Sequence, residues 1–485
     1  MDASYLDHDF DEEALGFGEP ETLPELRPGL SWDQRGALAV LGVGILVLLA
    51  QLGGGAGAGT WPGLGLSWGL IGLGIALTSW RRHAGQTEGI HHDGIQFASL
   101  TSRGALGWLA GILMTGLYVL IYWYPELLGE RSATADGQWT QLDPVGLVAT
   151  VDPLARLMTG APASRWFLYG VLYTGAILVF GVRMLLKYRG NPYQQLRTTS
   201  VVVAQLLLAW LLPNLLVLFQ QPYMEFNGVW PLKQNYLWPE KLLGEFAGAK
   251  LIGLLLIAWA VGMVVATPVL TYFFGKRWYC SWVCGCGGLA ETLGDPWRQL
   301  SDKSTRAWKL ERWMIHGVLL LVLGVTASLW IDHASSGALY GSWSSGVRSW
   351  YGFYIGAVFS GVVGVGFYPL LGSRVWCRFG CPQAAILGLW QRLFSRFRIT
   401  TNGDQCMSCG NCSTFCEMGI DVRSYAEKGE NVVRASCVGC GVCASVCPRG
   451  VLKLENGSTH ADRYPGADTP LATALHELTG EARRP

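Results

Sequence analysis

Cys406-Met-Ser-Cys409-Gly-Asn-Cys412-Ser-Thr-Phe-Cys416 and Cys437-Val-Gly-Cys440-Gly-Val-Cys443-Ala-Ser-Val-Cys447-Pro448 write one spacing twice. Two gaps of two residues wrap three thiolates round one face of a cubane, and the fourth, displaced cysteine reaches the neighbouring cube. The pattern predicts two [4Fe-4S] clusters, one on Cys406, Cys409, Cys412 and Cys447, the other on Cys437, Cys440, Cys443 and Cys416. Backbone amides near Gly410, Gly439 and Gly441 are placed to donate to the sulfurs. Two structural zinc sites would need four ligands each but would give no reason for the interleaved doubling. The β-prone runs 399–401, 431–433 and 451–454 fit a small α+β domain of two-cluster bacterial ferredoxin type. Glu417 stands where proline commonly follows the fourth cysteine.

Upstream, the composition is that of a membrane protein: half of the residues are hydrophobic and only 15% are charged. Eight apolar stretches, Gly36–Gly53, Leu64–Trp80, Gly104–Tyr124, Trp166–Leu186, Val201–Phe219, Leu251–Phe274, Trp313–Ile331 and Trp350–Leu371, are long enough to cross about 30 Å of hydrocarbon as helices. Their only charged residue is Arg183, one turn from an end, where snorkelling to the interface is expected.

Lys and Arg number 3, 4 and 7 in segments 81–103, 183–199 and 275–312, against 0, 3, 3 and 1 in 51–63, 125–165, 221–250 and 332–349. The positive-inside rule makes the first set cytoplasmic. Both termini and all 13 cysteines are then expected on the cytoplasmic side of a prokaryotic inner membrane. A reducing compartment suits thiolate ligation. A net charge of +1 without a basic block excludes nucleic acid as an expected partner.

The expected organisation is an acidic disordered tail (1–33), an α-helical multi-pass domain (34–390), a basic amphipathic connector on the inner leaflet (391–399), the double-cluster domain (400–456) and a polar tail (457–485). Asp143-Pro144 and Asp152-Pro153 should start short helices in an interfacial or re-entrant piece on the outer face. Pro213-Asn214 should interrupt helical bonding in mid-span.

A quieter repeat pairs Gly275-Lys-Arg277-Trp-Tyr-Cys280-Ser-Trp-Val-Cys284 with Gly372-Ser-Arg374-Val-Trp-Cys377-Arg-Phe-Gly-Cys381. Each follows a predicted span, which suggests pseudo-twofold halves with converging cysteines. A CxxxC step puts two sulfurs one helical turn apart, so two such elements can close a four-thiolate site at the membrane surface. Cys280, Cys284, Cys377 and Cys381, with Cys286 as an extra thiol, then suit a third cluster, a soft metal such as Cu(I), or a redox-cycling dithiol; buried packing thiols are the plain alternative. Arg277 and Arg374 at matching positions would lower thiol pKa values, bind an anionic head group or act as positive-inside anchors.

His316 is the only histidine available within the spans, too few for bis-His haem ligation, and no Cys-x-x-Cys-His exists. Nor is there a P-loop or a dinucleotide fingerprint.

These elements together resemble the membrane polyferredoxins of the NapH and NosR type, accessory proteins of periplasmic nitrate and nitrous oxide reduction, and are similar to the cytochrome-oxidase accessory polyferredoxin CcoG. The resemblance rests on the CxxxC pair after transmembrane helices and the double-cluster domain, over roughly 165–455. Cys284-Gly285-Cys286 departs from the Cys-Pro usual in the family; Cys381-Pro382 keeps it. The resemblance implies electron delivery between the quinone pool or a cytoplasmic donor and a respiratory or maturation partner, with quinone as a candidate ligand. An assembly factor that reduces or carries copper on the same cysteines, and a docking domain merely stiffened by clusters, are the other readings.

Overall fold

A computed structural model describes residues 32–53, 57–83, 101, 103–135 and 138–456. The predicted tails 1–33 and 457–485 lie, but for Trp32 and Asp33, outside the described residues.

Among the described residues, seven helices are long and apolar enough to cross a membrane: α1 (Trp32–Leu52), α2 (Trp61–His83), α3 (Ala105–Trp123), α4 (Arg165–Lys187), α5 (Pro192–Leu218), α6 (Lys250–Phe274) and, after the short α7 (Gly285–Glu291), α8 (Thr305–Ala334). The eighth predicted stretch is less regular. Helix α9 (342–363) begins as an α-helix, widens into π turns over Gly352–Val363 and gives way to turns before Tyr368–Leu371. It nonetheless retraces α8. Thirty residues carry α8 about 45 Å from its start, yet Arg378 is back beside that start, with Nε 2.7 Å from Glu311 Oε2.

Pro213 is accommodated inside α5 by a π segment, Ala204–Leu211. The side-chain amide of Asn214 donates to Trp210 O at 2.7 Å, and Leu208 O, five residues before the proline that has no N–H to give it, accepts from Phe226 N–H at 2.9 Å. Between α3 and α4, β1 (Ser132–Ala135) pairs antiparallel with β2 (Gln138–Gln141). Asp152-Pro153 opens a helix as expected, Asp152–Thr159, whereas the helix after Asp143-Pro144 starts only at Gly146.

Arg183 does not snorkel. It is buried with Nη1 2.8 Å from Asp295 Oδ2, since a guanidinium with a buried carboxylate beside it gains more from pairing than from reaching the interface.

The connector 391–399 is no separate element. Gln391–Phe394 is the end of α10 (Pro382–Phe394), and Phe397–Thr401 is β3, paired antiparallel with β4 (Leu452–Asn456). Gln391 and Phe397 are buried because they seat the C-terminal module, while Trp390, Leu393 and Phe394 face outward. All three β-prone runs participate, Val432 bridging to Ile399.

Candidate iron–sulfur centres

The C-terminal module folds round its cysteine loops. One small pocket is lined by Cys406, Cys409, Cys412 and Cys447, the four thiols that the spacing assigns to the first cluster. Cys443 lies close enough to Cys440, Cys437 and Cys416, the set assigned to the second, and to Cys412 of the first, to feel the charge of each. Gly410, Gly439 and Gly441 adopt left-handed φ of +77°, +64° and +74°. That conformation turns amides inward: Gly439 N–H points to the Cys437 sulfur and Val442 N–H to that of Cys440. Ser408, at the repeat position of Gly439, is held at φ +55°.

One side of this module is seated on the bundle. Gln194 Nε2 and Arg197 Nη1 donate to Cys440 O at 2.8 and 3.0 Å, Gln391 Nε2 to Cys437 O at 2.8 Å, and Ser281 Oγ to Val438 O at 2.9 Å. The other side carries Cys409 to the surface.

The CxxxC elements do converge, but not at the membrane surface. Gly275 and Gly372, at φ +68° and +92°, turn the chain back at matching helix ends. Both elements then re-enter the bundle, and Cys284 and Cys381 become the N-caps of α7 and α10. A Cβ on Gly285 would lie 2.7 Å from Gln205 Oε1 and 3.2 Å from the Tyr173 ring, so the loop tip is level with the middle of α4 and α5. Pro382 lies nine positions, or about 13 Å, above Gln391, where α10 meets the module. The cysteines lie inside the bundle and not at its helix ends, because α7 and α10 run from the two motifs back toward the module.

Cys280, Cys284 and Cys377 share one buried cluster, and Cys381 has Cys377 and Cys280 as thiol neighbours. Arg374 crosses between the elements: Nη1 donates to Cys280 O at 3.2 Å and stands 3.8 Å from Cys377 Sγ. Arg277, its repeat counterpart, instead lies on the Phe397 ring at 4.4 Å. Cys286 meets the Cys284 thiol and the Tyr173 hydroxyl. His316 is half-buried on α8, next to Ile315, which packs in the Cys381 cluster. Among the described residues, no three His, Cys, Asp or Glu side chains are drawn together as a single metal ion requires. A cubane holds its thiolates farther apart than one ion does.

Between the two thiol groups lies a layer of charge that sequence reasoning missed. Asp295 accepts from Arg183 and Lys187 at 2.8 and 2.9 Å and pairs with Arg298 at 2.6 Å. Glu291 pairs with Arg197 and Arg374 at 3.0 and 2.6 Å, and Glu417 with Arg374 at 2.9 Å. Five buried cations thus face three carboxylates. Among the described residues, Arg197 Nη2 and Arg374 Nε find no hydrogen-bond acceptor, and Glu291 Oε2 finds no donor. Buried positive charge in excess is costly unless an anion neutralises it, and a cluster with four thiolates supplies negative charge at this place. The residues therefore fit the implied clusters. The only sequence signal was Glu417 in its unusual position; Glu291 and Asp295 stand out only as carboxylates in an otherwise apolar, Gly-rich run.

Burial alone would raise the Glu417 carboxyl, but Arg374, Arg298 and Arg197 outweigh it and hold it below the ordinary range. The same competition, won by Lys187, Arg298 and Arg183, keeps Asp295 well below.

Comparison with known proteins agrees with this division. Residues 398–448 match a family described as a 4Fe-4S dicluster domain, and residues 255–304 and 354–400 match a family described as a 4Fe-4S binding domain. The second family falls on the two halves of the CxxxC repeat. The chain is 28% identical over 175 residues to the putative electron transport protein YccM of Escherichia coli K12, over 34% of this chain and 48% of that protein. It is 29% identical over 209 residues to the methylamine utilization ferredoxin-type protein MauN of Paracoccus denitrificans, over 39% and 68%. The chain thus spans about half the length of the first relative. No solved structure matches. The protein has 4Fe-4S ferredoxin-type domains on a bundle of apolar helices and is distantly similar to electron-transport proteins.

Proposed function

We propose that the chain is a membrane-bound electron-transfer protein with three iron–sulfur centres. Cys406, Cys409, Cys412 and Cys447 hold the first, Cys437, Cys440, Cys443 and Cys416 the second, and Cys280, Cys284, Cys377 and Cys381 a third. The observation that carries this reading is the order of the three sets. The first has an exposed cysteine suited to a soluble partner, the second abuts the bundle through Cys437 and Cys440, and the third lies beyond it across the Arg374–Glu417 pair.

The module occupies 400–456 and faces the cytoplasm by the distribution of Lys and Arg; all eight stretches cross the membrane, placing both termini on that side. As in proteins of the NapH and NosR type, the donor is the quinone pool or a cytoplasmic reductant and the acceptor a respiratory or maturation partner.

Iron and sulfide analysis with electron paramagnetic resonance of anaerobically purified protein tests this. Three reducible clusters are expected. Two clusters with copper lost on Cys280→Ser would make the chain a copper-handling factor, and redox-inactive clusters would end the electron-transfer reading.

A further inference from the structure

Where the quartet sits along the membrane normal bears on where its electrons can go. On α4, Lys187 marks the module side, bonded to Asp295, and Arg165 marks the opposite end, bonded to Glu130. Tyr173, beside the Cys284–Gly285 tip, is fourteen positions from Lys187 and eight from Arg165, or about 21 and 12 Å. Cys286, which meets Tyr173, and the adjoining Cys284 are thus nearer the far end of this helix than the module end, while Cys280 and Cys377, beside Arg374, lie on their module side.

The far face also reaches in. After α5 ends at Leu218, segment 221–238 turns back, and Phe226 N–H donates to Leu208 O at 2.9 Å, ten positions or about 15 Å inside the helix end. Asn227 O accepts from Tyr279 Oη at 2.9 Å, and Val229 packs in the cluster with Cys280, Cys284 and Cys377. The segment brings an ion pair, Lys233 with Glu225 at 2.7 Å, whose side chains stay 37% and 25% exposed. Charge at that depth is costly in lipid and is tolerated where protein or water lines the space around it.

Aromatic rings continue the line. From Tyr173, which meets Cys286, the rings of Tyr169 and Trp166 follow at 5.6 and 6.4 Å, ending one residue from the start of α4.

We infer that the quartet is the midway station of a path across the membrane, and that electrons leave it at the face opposite the ferredoxin-type module, toward a one-electron acceptor there. This rests on the proposed electron-transfer function. In each turnover the module gives up one electron and the acceptor on the far face gains one; no proton or bond is exchanged. The rings shorten the saturated gap for tunnelling and are not themselves oxidised.

The test uses the full chain with its clusters, in proteoliposomes sorted for an outward-facing module. A photoreduced soluble ferredoxin outside is the donor, and cytochrome c trapped inside is the acceptor. The trapped cytochrome should become reduced, at a rate that falls to that of protein-free vesicles in Cys377→Ser or Cys284→Ser while the module signals persist. A gadolinium chelate inside should shorten the relaxation of the quartet's paramagnetic signal more than the same chelate outside. Module clusters that reduce while the cytochrome stays oxidised would overturn the inference and leave the electron-transfer function standing, as would a rate that neither substitution changes or a quartet relaxed more strongly from outside. A module that cannot be reduced at all overturns both.

Discussion

Arg374 Nη2, on the second CxxxC element, lies 2.9 Å from Glu417 Oε1 in the module, and the same nitrogen lies 2.6 Å from Glu291 Oε1. One guanidinium thus fastens the module, the first CxxxC element and the second to one another. Glu417→Gln removes a charge from a fully buried network already short of carboxylates. Breaking one side of such a pair costs about 3–5 kcal/mol. The variant should release the module to proteolysis near residues 395–402 in isolated membranes; unchanged resistance would show that backbone contacts suffice.

Asp295 gives the pH dependence of the same layer. Its folded pKa is held well below the ordinary carboxylate value by Lys187, Arg298 and Arg183 against the opposing effect of burial. A depressed carboxylate contributes stability that is fully present above its unfolded pKa, about 3.9, and is lost as pH falls through the folded value. Between pH 5 and 8 the contribution is constant. Asp295→Asn should therefore lower the thermal midpoint in detergent by the same amount at pH 5 and pH 8, and the gap should close only in stronger acid.

The interleaved ligand sets can be separated by spectroscopy. Cys447→Ser should perturb the same paramagnetic signal as Cys409→Ser, although these residues lie in different sequence repeats, and Cys416→Ser should perturb the one altered by Cys440→Ser. Pairing by sequence repeat instead would place the displaced cysteines on their own loops.

Much of this was legible because the chemistry is local. Cysteine spacing predicts which thiols share a cube, apolar length picked out seven of the eight expected spans, and the Gly275/Gly372 repeat marked both turns before the structure placed them. Depth was not legible. CxxxC reads alike in a surface loop and in a loop that dips inward, and only the packing of Gly285 against Tyr173 and Gln205 distinguishes them. Long-range charge was equally hidden, since Arg197, the Glu291/Asp295 pair, Arg374 and Glu417 are far apart in sequence. Arg183 misled because a basic residue near a span end usually snorkels, and nothing local announced Asp295 as its partner.

Thiol reactivity in cluster-free protein should follow burial. Desolvation pushes Cys437 up to about 11, against the Gly439 amide and Lys276, which favour the thiolate. Cys412 is likewise pushed up to about 11 by burial. At pH 8 about one molecule in a thousand then carries the thiolate at either site. Iodoacetamide at pH 8 should label the exposed Cys409 first, with Cys412 and Cys437 following slowly by mass spectrometry and speeding up toward pH 11. Equal rates at all three would mean that the module opens without its clusters.

The convergence of the CxxxC elements depends on one glycine. A Cβ on Gly287 would fall 2.0 Å from Cys280 O and 3.0 Å from Arg374 Nη1, inside the contact that holds the two elements together. The Cys280 carbonyl is backbone, so relief requires α7 to shift away from it and carry Cys284 out of the quartet. Overpacking of this kind costs about 1–3 kcal/mol or more. Gly317 on α8 is the control, with nothing within 4 Å of its Cβ position, so alanine there is neutral or slightly helix-favouring. Gly287→Ala should lose the iron of the quartet while the two module clusters remain, and Gly317→Ala should keep all three. Iron retained in full by Gly287→Ala would mean that the quartet tolerates separation of its two halves, and the reading of it as one four-thiolate centre would fail.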